Sequence, residues 1–368
     1  MQLKALKAEY FKNYDAVNLH FSAGINCFTG QNGAGKTNLL DAIYMLCNGK
    51  SYFNLTDQQL IKNGEMYFSV RGSFLRNEAE EDVLCALMRG RKKGIKRNDI
   101  PYEKLVHHYG EFPAIIVAPG DIELIIGGSE ERRKFLDSTL SLLDRDYLLS
   151  LMRYEKVLQQ RNAELKNINQ SEATPQRALL EIYDDMLVPL SEEIHRKRKL
   201  FMDDFLPVFH EIYKFISQEK EAVQLVYESD LHENNLPELL DKNFRRDVFL
   251  QRTSSGTHKD DLQFSLHDSP LKKFGSQGQQ KTFLLSLKMA QYQYVRNRKG
   301  FSPLLLLDDV CERLDEQRLQ TLFSLIQQTG FGQVFVTDSS LSRLQNLLGS
   351  GNQNVKYFVV EKGEASSL

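Results

Sequence analysis

The stretch Gly30-Gln31-Asn32-Gly33-Ala34-Gly35-Lys36-Thr37 has the residue types and spacing to grip the phosphates of a nucleotide. Glycines let the backbone curl so that successive N–H groups point inward at an anion, and a helix starting at the end of the loop adds its positive dipole. Lys36 is expected to reach the outer phosphates and the Thr37 hydroxyl to hold Mg²⁺. Far downstream, Leu304-Leu305-Leu306-Leu307 runs into the paired carboxylates Asp308-Asp309. There Asp308 would orient Mg²⁺ through water and Asp309 could polarise an attacking water, which turns a nucleotide site into a hydrolytic one. A third stretch, Gly275-Ser276-Gln277-Gly278-Gln279-Gln280-Lys281, precedes an apolar run from Thr282 to Tyr294. Taken alone, Ser276 there reads as a helix cap.

These residues can act together only if strands and helices carry them to one edge. Gly24 to Thr29 reads as a buried strand before the loop, and Leu39, Leu40, Ile43 and Leu46 mark the helix after it. The four leucines imply a strand buried on both faces with its acids left at the end, where parallel sheets place ligands. Val334 to Thr337 reads as the following strand. Partial alternation from Leu3 to Phe28 predicts a short β-meander, and Met66 to Arg76 is expected to pair with Val83 to Met88, with the acidic Glu78 to Asp82 in their turn. Ala114 to Val117 is a further buried strand, ended by Pro119-Gly120.

From Ser129 to about Ser217 the spacing becomes helical. Leu179, Tyr183, Met186, Leu190 and Ile194, continued by Phe201, Phe205, Phe209, Ile212 and Ile216, form a stripe expected to face a core. Thr174-Pro175 reads as a helix start, Asn167 to Glu172 as a polar break, and Pro189 and Pro207 as places to kink or divide the helix. The expectation is an arm of antiparallel helices. After Leu250 strand and loop return. His258 lies there in a polar loop with no identifiable cysteine or serine partner, so it reads as a turn or phosphate-proximal contact rather than a catalyst.

At 368 residues, with 41% hydrophobic and 26% charged residues, the chain has the composition of a globular protein large enough for two structural regions. No apolar run approaches a membrane span and the first residues lack a signal-peptide core, which points to the cytoplasm and to no membrane partner. Cys27, Cys47, Cys85 and Cys311 make no CxxC or zinc spacing and read as reduced and inert. A net charge of −2 excludes a wholly basic nucleic-acid binder, so any DNA site must be a local patch. Candidates are Arg89 to Arg97, where six of nine residues are basic, Arg132-Arg133-Lys134, and His195-Arg196-Lys197-Arg198-Lys199.

Two resemblances sharpen this reading. Gly275 to Lys281 resembles the signature motif of ABC-type ATPases, which implies that Ser276, Gly278 and Gln279 cap the γ-phosphate of ATP held by a second copy, in a head-to-tail sandwich. Glu312-Arg313-Leu314-Asp315 falls at the place of the subunit-crossing D-loop. More closely, Tyr10 to Tyr14, the phosphate loop running into Asn38 to Tyr44, Gly49-Lys50-Ser51, Arg132 to Asp137, Leu158-Gln159-Gln160-Arg161-Asn162, Gly256 to Leu262, Ser276 to Gln280 and Asp308-Asp309-Val310 are similar, in order, to blocks of the RecF family of bacterial recombination-repair ATPases. The resemblance covers the chain nearly end to end.

It implies an α/β fold, an ABC-type P-loop ATPase head with a helical second lobe, divided here as head 1–120, arm 121–250 and head 251–368. It also implies an ATP-dependent homodimer on double-stranded DNA near single-strand gaps, with RecR and RecO as partners and RecA downstream, and a weak, DNA-stimulated ATPase. Four positions depart from the broader pattern. Asp309 stands where ABC enzymes carry Glu, which predicts slow turnover; Thr337-Asp338 replaces the switch histidine; Ala114 to Asp121 offers no Q-loop glutamine; and Phe53 stands where a RecF arginine is expected. The competing readings are a transporter's ATPase subunit, disfavoured by the long arm and the basic hairpin, a short SMC-like bridging ATPase, disfavoured by the short arm, and a DNA-binding adaptor whose ATP site only stabilises the fold.

Overall fold

A computed structural model describes residues 1–168, 173–218, 221–312, 314–328, 330–349 and 354–368. The chain forms two compact units, one of Met1–Asp121, Ile212–Gln218 and Lys281–Leu368, the other of Ile122–Glu211 and Glu219–Gln280. Among the described residues no helix is long and apolar enough to cross a membrane.

In the first unit a six-stranded sheet runs in the order Glu364–Ser367, Val355–Glu361, Ile25–Thr29, Val334–Asp338, Leu304–Leu307, Ala114–Val117. Its strands are parallel except for the hairpin at the first edge. Four of them are buried at every residue, which is why they read as unbroken apolar runs rather than alternating ones. A second, antiparallel sheet has the order Ala16–His20, Gln2–Glu9, Tyr67–Arg76, Ala79–Met88, Gly94–Arg97, Ile100–Pro101. Helix Lys36–Asn48 shares one core with both sheets. Leu39, Leu40, Ile43 and Leu46 join Leu304, Leu306 and Phe335 of the parallel sheet and Phe68, Val70 and Phe74 of the antiparallel one. A helix buried nearly all round needs apolar residues nearly all round.

The second unit holds helices Ser129–Leu143, Arg145–Asn167 and Leu236–Leu250, most of helix Ala173–Ser217, and a three-stranded sheet in the order Ser269–Pro270, Asp261–Leu266, Val223–Glu228. Helix Gln277–Lys299 begins in this unit and continues into the first. The four cysteines are free and buried.

The structure departs from the sequence expectations in four places. The hairpin after Tyr67–Arg76 turns on Asn77 and Glu78 alone, at φ 50° and 65°, so Glu80 to Asp82 lie in the strand rather than the turn. A two-residue turn with both φ positive matches the twist of the flanking strands. On the long helix, Leu179 and Met186 are exposed and Leu180 and Leu187 are buried in their place, a seven-residue step continued by the expected Ile194 and Phe201; Phe205, Phe209, Ile212 and Ile216 are buried as expected. That helix continues through Pro189 and Pro207, held on either side of each by buried Leu187, Ile194, Phe205 and Phe209. Finally, 251–280 groups with the second unit, because Asp261–Leu266 pairs with Val223–Glu228. Residues 169–172 of the proposed polar break lie outside the described residues.

Candidate active site

The phosphate loop begins where Ile25–Thr29 ends, and two of its glycines are there for steric reasons. At Gly30 (φ 152°) a Cβ would lie 2.1 Å from the Val360 carbonyl oxygen, and at Gly35 (φ 120°) 2.6 Å from Asn13 Nδ2. From outside, Asn13 Nδ2 donates to the Ala34 carbonyl (3.1 Å), Tyr14 Oη to the Gly35 carbonyl (3.0 Å), and Asn38 Nδ2 to Asn13 Oδ1 (2.7 Å). The Tyr10 to Tyr14 block is therefore the buttress of the loop. Lys36 is buried, and its Nζ donates to the Gly30 (2.7 Å) and Gln31 (3.1 Å) carbonyls, which fixes the ammonium inside the loop's curve.

The Thr37 hydroxyl meets the Asp308 carboxylate, 2.9 Å from Oδ1 and 3.1 Å from Oδ2. Thr337 Oγ1 donates to Asp308 Oδ1 (2.9 Å) while accepting the Asp309 backbone N–H (2.9 Å). Asp309 takes the left-handed conformation, φ 47°, which that hydrogen bond helps to hold. Burial pushes the Asp308 carboxyl up to about 6, with the Asp309 charge acting in the same direction and the Thr337 and Thr37 hydrogen bonds against it. A threonine hydroxyl and a carboxylate converging on one point are hard oxygen donors, the set that suits Mg²⁺. Lys36, Thr37, Asp308 and Asp309 are thus gathered on the C-terminal edge of one sheet although 271 positions separate Thr37 from Asp308.

Ser276, Gly278 and Gln279 belong to the second unit. Ser276 is exposed, accepts the Gln279 N–H at 3.2 Å and donates its own N–H to Gln279 Oε1 at 2.7 Å, a reciprocal cap at the start of helix Gln277–Lys299. Of the D-loop stretch, Arg313 lies outside the described residues, and Asp315 caps the next helix by accepting the Arg318 N–H at 2.9 Å.

Some participants were not singled out for their role by sequence reasoning. By sequence Thr337 reads only as the replacement of a histidine, and the structure makes it the link between the two aspartates. Lys288 is the one cation in the apolar run from Thr282 to Tyr294, and a buried ammonium needs a partner. It pairs with Asp121 (3.1 Å), which also accepts from Tyr52 Oη and the Ala118 N–H (2.8 Å), so an acid anchors the segment that lacks the Q-loop glutamine. At Phe53 the ring lies 5.3 Å from Lys12 Nζ, and Lys12 pairs with buried Asp41 at 2.6 Å.

His258 bridges Tyr154 Oη (2.7 Å, at Nδ1) and the Thr253 carbonyl (3.0 Å, at Nε2). Only a donor can face the carbonyl, so the proton sits on Nε2 and Nδ1 accepts; the residue is structural. Of the basic clusters, Arg132 pairs with Asp261 (2.6 Å), Lys134 with Glu131 (2.8 Å), Lys197 with Asp144 (2.8 Å), and buried Arg198 with Asp137 (2.8 Å) and Asp260 (2.7 Å). In the hairpin, Lys93 pairs with Asp57 and Arg97 with Glu81 (2.6 Å), leaving Arg91, Lys92 and Lys96 exposed.

Fold and site together define a P-loop ATPase of the ABC type. A family model described as an AAA domain matches residues 5–225, and the SMC head bound to the C-winged helix domain of ScpA has the same fold, with a TM-score of 0.58 at 16% identity. The chain belongs to the RecF family of DNA replication and repair proteins. It is 44% identical to RecF of Flavobacterium johnsoniae over 97% of this chain and 99% of that one, and 40% identical to RecF of Bacteroides fragilis over 100% and 99%. A solved structure of the recombination mediator protein RecF with ATP, in the RecFOR pathway, superposes with a TM-score of 0.87 at 30% identity, covering 100% of this chain and 97% of that one.

Proposed function

We propose that this chain is an ATP-driven switch of recombinational repair: ATP closes two copies on double-stranded DNA beside a single-strand gap, and slow hydrolysis reopens them. In this reading Gly30 to Thr37 wrap the phosphates, Lys36 Nζ turns from the loop carbonyls to the outer phosphates, and Thr37 and Asp308 hold Mg²⁺. Bound there, Mg²⁺ neutralises charge developing on the phosphate oxygens. Asp309 orients the water, its short side chain supports a slow rate, and duplex DNA stimulates that rate. Ser276, Gly278 and Gln279 of the second copy cap the γ-phosphate. RecR and RecO are the partners, with RecA loading downstream, in the cytoplasm.

The observation that carries this reading is the Thr37–Asp308 contact above buried Lys36. The exposure of Ser276 supports the composite site. The test is sedimentation of wild type, Lys36→Arg and Asp309→Asn with and without ATP and gapped duplex. Wild type is expected to dimerise with ATP, Lys36→Arg to dimerise poorly, and Asp309→Asn to remain closed. Equal dimerisation of wild type with and without ATP overturns the reading.

A further inference from the structure

Helix Leu236–Leu250 has two unlike faces. Leu239, Leu240, Asp247 and Val248 are buried, while Lys242, Arg245, Arg246 and Phe249 follow the i, i+3, i+4, i+7 spacing of a single face and are exposed. Phe249 is 74% exposed, the most exposed large hydrophobic side chain among the described residues. Arg252 and Lys259, just beyond the helix, are exposed too.

These cations stand on a rigid base. Asn162 Oδ1 accepts from Thr253 N–H (2.7 Å) and Thr253 Oγ1 (2.8 Å), Asp247 Oδ1 accepts from Ser254 N–H (2.9 Å) and Oγ (2.6 Å), and His258 ties Thr253 to Tyr154. Partial burial, and then the charges of Arg252 and Arg133, lower the Lys259 ammonium from its usual value; Asp247 acts against them and Arg246 with them. The acid that acts on Lys259, Asp247, is itself bonded to Arg161 (2.9 Å) and Ser254. Among the described residues Arg246, Arg252 and Lys259 have no acidic partner within ion-pair distance. Unlike Arg132, Lys197 and Arg198, whose charges are satisfied internally, this group has no internal counter-charge and is exposed, so its charge is available to an external polyanion.

We propose that Arg246, Phe249, Arg252 and Lys259 form a single-strand nucleic-acid site, in which the three cations take successive phosphates and one unpaired base stacks on Phe249. A duplex buries its base faces and cannot use the ring, whereas a single strand can. The choice of nucleic acid among polyanions rests on the repair function proposed above; the pairing of an exposed ring with unpaired cations does not.

Fluorescence anisotropy of the full chain with labelled oligothymidylate and with a blunt duplex, at two salt concentrations, tests it. Phe249→Ala should weaken the single strand about tenfold, leave duplex binding unchanged and keep the salt slope, and Phe249→Trp should restore affinity. The double variant Arg246→Gln/Arg252→Gln should lower the log–log salt slope on the single strand by roughly 1.4, about 0.7 for each phosphate no longer neutralised. Wild-type affinity and slope in all variants, or an equal loss on duplex and single strand for Phe249→Ala, would overturn the site. ATP-driven dimerisation on the same samples should be as in wild type, so the switch and the strand site are judged by separate readouts.

Discussion

The hydroxyl of Thr337 accepts the backbone N–H of Asp309 and donates to the carboxylate of Asp308, each at 2.9 Å. One side chain therefore sets both the direction of one acid and the strained backbone of the next. Thr337→Ser preserves both bonds and should turn over ATP within about threefold of wild type. Thr337→Val keeps the shape, loses both bonds and should be slower by roughly 10²-fold, the usual worth of a lost orienting interaction. Steady-state phosphate release measures this, and equal rates for the two variants would remove Thr337 from the mechanism.

The loop glycines should separate by environment. Gly30→Ala and Gly35→Ala force a Cβ against neighbours at 2.1 and 2.6 Å, whereas Gly33 (φ 83°) has nothing within 4 Å of a Cβ. Gly33→Ala carries only backbone strain, on the order of 1–2 kcal/mol, and the other two should cost more. Urea unfolding with ATP-binding titrations would show the order; a Gly33→Ala variant as damaged as Gly30→Ala would contradict it.

Arg161 is buried and bonds Asp184 (2.6 Å), Asp247 (2.9 Å) and Thr253 (2.9 Å) at once. Arg161→Met leaves Asp247 buried and uncompensated, at a cost of about 3–5 kcal/mol. Adding Asp247→Leu removes the stranded charge and should recover part of the loss. Unfolding midpoints of the two single variants and the double decide it, and strict additivity would count against the pair.

Burial lowers His258 from 6.5 to about 4. Its folded value lies below its unfolded one, so the unfolded chain takes up the proton first as pH falls. The stability conferred by the neutral ring is complete above about pH 6.5 and is lost progressively toward pH 4. After allowance for partial exposure this amounts to about 2 kcal/mol. His258→Gln should lack this component of acid sensitivity, and parallel stability–pH curves for wild type and variant would refute it.

Short-range patterns were legible before any fold was known. Gly30 to Thr37 with a strand before and a helix after, the four leucines ending in Asp308-Asp309, and the ordered RecF-like blocks each depend on neighbours a few residues away. The failures were of a different kind. Leu179 and Met186 share a plausible helical stripe with Leu190, and which stripe is buried depends on what packs against it. Nor does the sequence show the internal charge partners of Arg132 and Arg198, which are Asp261, Asp137 and Asp260, more than sixty positions away.

The chain's linear order determined that it carries a phosphate loop, a buried acidic strand end and the block pattern of its family, because backbone conformation and burial periodicity are written within a turn or a strand. Only the tertiary structure decided which charges are spent and which remain available. A hydrogen bond chooses its partner by distance in space, and the strand order that sets Val334–Asp338 between Ile25–Thr29 and Leu304–Leu307 is what brings Thr337 to both aspartates.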